Sequence, residues 1–152
     1  MGSGIRVKEV HHICLVVGNI KEAIERIARS FETPKIKMTE SASVARLEGK
    51  DVGKYQLKAA VVKLANNLTI ELLEIAEGRS VEQDWLRKHG STIHHIAIVT
   101  ENLEEEASKW VRKGIKILQE DHGMWVYLDT ENILGMNVEL VHPRAIESWD
   151  KP

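Results

Sequence analysis

A single cysteine, Cys14, stands among the 152 residues, so no disulfide can close within the chain. That scarcity fits a reducing compartment, and a cytoplasmic location is the expectation. No apolar run approaches the roughly 20 residues that a membrane-crossing helix needs. The polar opening Met1-Gly2-Ser3-Gly4 carries no secretion signal. An excess of charge of one sign is also missing. The formal net charge is -2, which excludes a general pull toward nucleic acid or an anionic membrane. A phosphate-binding glycine loop, a CxxC pair and a Ser/His nucleophile motif are absent as well. What remains is 43% hydrophobic and 29% charged, the balance of an ordinary soluble globular protein. The length suits one domain, or two small modules sharing a core.

The chain repeats itself. Residues 11–28 read HHICLVVGNIKEAIERIA and residues 94–111 read HHIAIVTENLEEEASKWV. At this offset of 83, His11, His12, Ile13, Val16, Asn19 and Glu22 meet identical residues, and other pairs are apolar on apolar. Each copy closes alike, with Ile70-Glu71-Leu72-Leu73 in the first and Val138-Glu139-Leu140-Val141 in the second. Glu71 and Glu139 are only 68 apart, so the first copy carries extra residues. The stretch Thr39 to Lys54, rich in Ser, Gly and charge, reads as the surface loop that holds them.

The coarse pattern is β-α-β-β-β, used twice. Residues 8–17 predict a strand. Asn19 caps a helix to about Phe31 that Pro34 closes. A weakly patterned strand is expected around 36–47, then strands at 55–64 and 68–75 joined by the turn pair Asn66-Asn67. Val81 to His89 reads as a linking helix stopped by Gly90. The second copy predicts a strand from Thr92, a helix from Asn102 to Lys113, and strands at 115–119, 124–130 and 136–141. The tail from His142 to Pro152 is polar and reads as peripheral. The expectation is one domain over 1–152, with module one at about 8–76, the linking helix at about 80–90 and module two at about 91–143.

Strand side chains alternate between faces. Ile13, Leu15 and Val17 share one face of the first strand, and His12, Cys14 and Val16 the other. Glu71 opposes Ile70 and Leu72; His95 opposes Ile96 and Ile98; Glu139 opposes Val138 and Leu140. Each module therefore has an apolar face suited to its helix and an opposite face bearing one His and one Glu. A carboxylate between large apolar neighbours is costly to bury without a partner. Two modules facing each other across an approximate two-fold axis would bring His12, Glu71, His95 and Glu139 around one divalent cation. Two nitrogen and two oxygen donors suit Co, Ni, Zn or Mn. His11 and His94 recur too, but alternation turns them toward the helix layer or an edge, in a supporting role. Cys14 reads as packing. Trp85 and Trp110 read as helix core, and Trp125 as a wall of the cleft.

These residues, together with TIELLE, WLRKHGSTIHHIAIVTENLEEEASKWVRKGIKIL and YLDTENILGMNVELVHP, give a chain that resembles the vicinal oxygen chelate superfamily. Its members include glyoxalase I, methylmalonyl-CoA epimerase, bleomycin-resistance proteins and extradiol dioxygenases. The likeness covers about residues 8–143 and is strongest to the epimerase-like and glyoxalase-like members. It implies an α+β fold in which two βαβββ modules form a curled mixed sheet around a metal-binding cleft, and a homodimer. It also carries the four ligand positions onto His12, Glu71, His95 and Glu139.

The activity implied is a metal-dependent isomerisation or epimerisation at a carbon next to a carbonyl, through a metal-stabilised enolate, with Glu139 as base and Glu71 as its counterpart acid. The substrate would be a small molecule, an acyl-CoA or a thiol adduct. Alternatives are a glyoxalase I-type lactoylglutathione lyase and a non-catalytic protein that sequesters a ligand as the bleomycin-resistance proteins do. Where some epimerases carry glutamine this chain has Glu71, as glyoxalase I does, and the strand Gln56 to Val62 offers no further carboxylate; both features weaken the case for an epimerase.

Overall fold

The β-α-β-β-β unit is present twice in the computed structural model, which describes residues 4–32, 35–47 and 50–149. Module one comprises β1 (Val10–Val16), α1 (Ile20–Ser30), β2 (Lys35–Leu47), β3 (Lys50–Ala65) and β4 (Leu68–Glu77). After α2 (Val81–His89), module two repeats the order with β5 (Thr92–Val99), α3 (Leu103–Arg112), β6 (Ile117–Asp121) and β7 (Trp125–Leu128). A one-turn helix α4 (Glu131–Leu134) precedes β8 (Asn137–Val141), and α5 (Pro143–Ile146) follows it.

The helices start where their caps dictate. Asn19 accepts a hydrogen bond from the Glu22 backbone N–H at 3.0 Å, and its repeat partner Asn102 accepts from Glu105 at 3.2 Å. Such a cap contributes about 1 kcal/mol. Gly90, at φ 75, ends α2 as the sequence predicts. α1 already ends at Ser30, and Pro34 lies outside the described residues.

The eight strands form one curled mixed sheet in the order β1-β4-β3-β2-β6-β7-β8-β5. Within each module the first and last strands pair in parallel, β1 with β4 and β5 with β8. The modules join through antiparallel β1 and β5, where Ile13 faces Ile96. Those two residues are 83 apart, the offset of the repeat, so the approximate two-fold axis passes through that pair. Among the described residues, the sheet meets itself again through Arg46 with Glu120 and Leu47 with Gln119.

The outward face of each module packs its helix. Leu15, Val17, Val62 and Leu72 lie against Ile20, Ile24 and Ile27 of α1. Ile98, Val138 and Leu140 lie against Leu103, Ala107 and Trp110 of α3. Two expectations fail. Thr39 to Lys54 is no surface loop: its described backbone continues β2 and β3 as a long antiparallel hairpin, with Thr39 opposite Ala59 and Val44 opposite Lys54. The tail is not peripheral either, because α5 buries Ile146 against Ala97 and Val141. Among the described residues, no helix is long and apolar enough to cross a membrane.

Candidate metal centre

The register explains why four side chains meet. Cys14 pairs with Glu71 across β1 and β4, and its repeat equivalent Ala97 pairs with Glu139 across β5 and β8. Cys14 also pairs with His95, and His12 with Ala97, across the joint between modules. The inward faces of β1 and β5 thus deliver one His each, and β4 and β8 one Glu each, to the same point. His12, Glu71, His95 and Glu139 each place a ligand atom within 4.8 Å of the others. His12 Nε2 lies 3.5 Å from Glu71 Oε1, and His95 Nε2 lies 3.8 Å from the same oxygen. His95 Nε2 also approaches Glu139 Oε2 at 2.8 Å.

Burial decides the electrostatics. His95 is completely buried and Glu139 is 6% exposed. Burial pushes the Glu139 carboxyl up to about 8, although the nearby His12 pulls it down. Glu71 is also raised by burial, but the contact and charge of His12 and the charge of His95 outweigh this and hold it below its usual value. Burial drives the His95 imidazole down to about 3. It also lowers His12, but there Glu71 and then Glu139 outweigh it, and His12 is held higher than normal. Two carboxyls thus have affinities for protons pushed apart by their surroundings, a recurrent sign of acid–base function.

The residues present fit a divalent cation. His12 Nε2 and His95 Nε2 are both buried without a hydrogen-bond partner among the described residues. Buried polar atoms left in this state are costly. An ion between two imidazoles and two carboxylates would satisfy all four groups and neutralise both acids.

A cleft of about 350 Å³ opens on the two glutamates. Leu57, Ala59, Val61 and Leu73 form one wall, and Met124, Trp125, Tyr127 and Val141 the other. Trp125 lines it as the sequence predicts. Larger grooves of about 720 and 840 Å³ flank α3 and touch none of the four residues. His122 faces the first of these grooves and stands away from the cleft. Cys14 is buried, and burial pushes its thiol up, as suits a packing role.

Three features escaped the sequence reading. The first is Trp149, whose ring lies 4.5 Å from that of His12 and which roofs the cleft with Ala145 and Ile146. Lys37 Nζ holds this segment by donating to the Ser148 carbonyl. Pro143, at the first position of α5, was a legible helix-start signal. The second is a pair of β-bulges. Val10 and His12 pair with the adjacent residues Ile98 and Ala97, so His11 is the extra residue; Cys14 and Leu15 pair with His95 and Ile93, so His94 is the extra residue on β5. A bulge breaks alternation, so the expectation that His11 and His94 turn away from the site is wrong. His11 Nδ1 lies 2.9 Å from His12 Nδ1, and His94 Nδ1 lies 2.8 Å from His95 Nδ1.

The third is Glu82 on α2, fully buried and accepting a 2.8 Å hydrogen bond from the Tyr127 hydroxyl. Burial pushes its carboxyl up to about 7. The folded protein therefore holds this proton more tightly than the unfolded chain does. The resulting stability is present below the unfolded value and lost as pH rises through about 7. Glu82→Gln never ionises. Its stability relative to wild type should improve by about 2 kcal/mol between about pH 5.5 and about pH 8. Urea unfolding at the two pH values measures this, and an unchanged difference would rule out Glu82 as the group that titrates.

Comparison with known proteins agrees with this architecture. The family model described as Glyoxalase/Bleomycin resistance protein/Dioxygenase superfamily matches residues 11–124. No curated protein matches the sequence. Among solved structures, a hypothetical protein from Bacillus halodurans is similar at 23% identity, with a TM-score of 0.61, over 88% of this chain and 93% of that one. Methylmalonyl-CoA epimerase from Mycobacterium tuberculosis is similar at 16% identity, with a TM-score of 0.60, over 94% and 93%. A variant of the Streptomyces coelicolor methylmalonyl-CoA epimerase, in complex with 2-nitronate-propionyl-CoA, is similar at 20% identity, with a TM-score of 0.58, over 90% and 98%. At these identities the likeness speaks for the fold. With most of its length matched by the family model, the chain belongs to the Glyoxalase/Bleomycin resistance protein/Dioxygenase superfamily.

Proposed function

We propose that this protein is a metal-dependent isomerase or epimerase that moves a proton at a carbon next to a carbonyl. The convergence of His12, Glu71, His95 and Glu139 within 4.8 Å at the mouth of an apolar cleft carries this reading. A bound divalent ion supplies a Lewis acid that steadies the negative charge developing on the substrate's carbonyl oxygen.

The chain's own residues do the rest. Glu139 takes the proton from one face of the carbon. In the ion-free site burial raises its affinity for a proton, which strengthens it as a base. Glu71, from the facing module, is the counterpart acid: protonated at the start of a turnover, it gives its proton to the opposite face of the carbon, and exchange with solvent resets the two carboxyls. Leu57, Ala59, Val61 and Leu73 bind the apolar part of the substrate and exclude water. Trp149 closes the roof over His12.

An acyl thioester is the substrate class we favour, with its acyl end in the cleft; the epimerase structures similar to this one include a complex with methylmalonyl-CoA. A glyoxalase-type lyase is the second reading, favoured by the carboxylate rather than amide at Glu71.

The test is elemental analysis of protein reconstituted with Co, Ni, Mn or Zn, followed by deuterium exchange from solvent into methylmalonyl-CoA and into a glutathione–methylglyoxal adduct. About one ion per chain and exchange into the thioester support the isomerase. Turnover of the adduct alone selects the lyase. Failure to bind any of the four ions would discard both readings.

A further inference from the structure

The two histidine doublets carry an inference about how the site is set. We propose that His11 and His94 are positioning residues that hold the proton of His12 and of His95 on Nδ1, so that both Nε2 lone pairs point at the carboxylates. This rests on reading the four-residue cluster as a metal site.

The geometry leaves little choice about proton count. Two imidazole nitrogens at 2.9 and 2.8 Å must share one proton between them. With none, two lone pairs would collide; with two, the hydrogens would. A histidine that offers Nε2 to an ion carries its proton on Nδ1. The shared proton then belongs to His12 and His95, and His11 and His94 accept it.

The second doublet has a continuation. If His94 Nδ1 accepts, its Nε2 carries a proton and needs an acceptor. The side-chain amide of Asn137 lies 3.5 Å from that nitrogen, and its Oδ1 is buried without a partner among the described residues. Turning the amide over, which leaves its shape unchanged, puts Oδ1 against His94 Nε2 and supplies the missing acceptor. Trp85 and Tyr127 meet the His94 ring edge to face at 5.3 and 5.1 Å, which holds its plane.

The placement is built and recurrent: the bulge falls on the first histidine in both copies. A neutral imidazole as acceptor also makes electrostatic sense. Glu71 and Glu139 already match a divalent cation in charge, and a third carboxylate behind the ligands would leave a buried excess of negative charge.

His94 separates the outcomes. His94→Asn keeps an acceptor near the position of Nδ1, whereas His94→Leu removes it. In Zn-loaded, ¹⁵N-labelled protein the two Nδ1 atoms of His94 and His95 should show a coupling across the hydrogen bond, with the proton assigned to His95. His94→Leu should weaken Zn binding by about 10- to 100-fold, and His94→Asn should restore most of it. Zn binding by His94→Leu equal to wild type, or a proton assigned to His94 Nδ1, overturns the proposal while the metal site stands. Coupling without any Zn bound by wild-type protein overturns the metal reading, and the positioning role with it.

Discussion

Glu139→Gln should retain a metal ion and lose its exchange of solvent protons into substrate by about 100- to 10,000-fold, the span of a removed general base. The amide oxygen keeps a donor for the ion while the group can no longer take a proton. The effect should fall on the chemical step, so kcat drops with little change in KM. Glu139 suits this role better than Glu71. Both carboxyls are raised by burial, but His12 and His95 draw Glu71 back below its ordinary value, while Glu139 remains at about 8. Exchange by Glu139→Gln at the wild-type rate would remove Glu139 from the reaction. Loss in Glu71→Gln alone would move the base to the other module.

The second large effect is on stability. An ion that binds the folded chain and not the unfolded one stabilises it by about 2.7 kcal/mol when present at about a hundred times its dissociation constant. For a domain of this size that is a rise in Tm of about 5–10 °C. His95→Ala removes a completely buried donor and should abolish the rise. The variant also loses the His94 contact and leaves a cavity, so its shift is read against its own ion-free Tm. Differential scanning fluorimetry with and without Co or Zn reads both. An equal shift in wild type and His95→Ala would place the ion elsewhere on the chain.

How much of this was legible follows from the range of each interaction. Strand alternation is local, so the faces of Leu15 and Val17, of Leu72 against Glu71, and of Leu140 against Glu139 could be read directly. The caps Asn19 and Asn102 satisfy their own helices and were equally plain. The repeat then supplied what a single module could not, because equal spacing in two copies implies a shared axis, and Ile13 opposite Ile96 lies on it.

The misreadings fall where a residue's conformation depends on a distant strand. Polar, glycine-containing residues 39–54 have loop composition, yet β2 and β3 pair along almost their whole length, and β4 extends the same sheet beside β3. A bulge is a mismatch between two strands, so it has no meaning in either strand alone. Even so, two adjacent histidines at the start of an apolar strand break a two-residue period, and that interruption was its trace. Trp149 sat in a polar tail, and only the docking of Ile146 beside Ala97 and Val141 carries it to His12.

The sequence by itself determined the two βαβββ units, their helix caps, their apolar faces and the identity of the four groups that meet, because each rests on spacing along the chain. Tertiary structure decided the rest: the distances among those groups, the separation of Glu71 from Glu139 in proton affinity, the pairing of each ligand imidazole with its neighbour, and the roof formed by Trp149. These depend on which surfaces exclude water together, and burial is a property of the assembled fold.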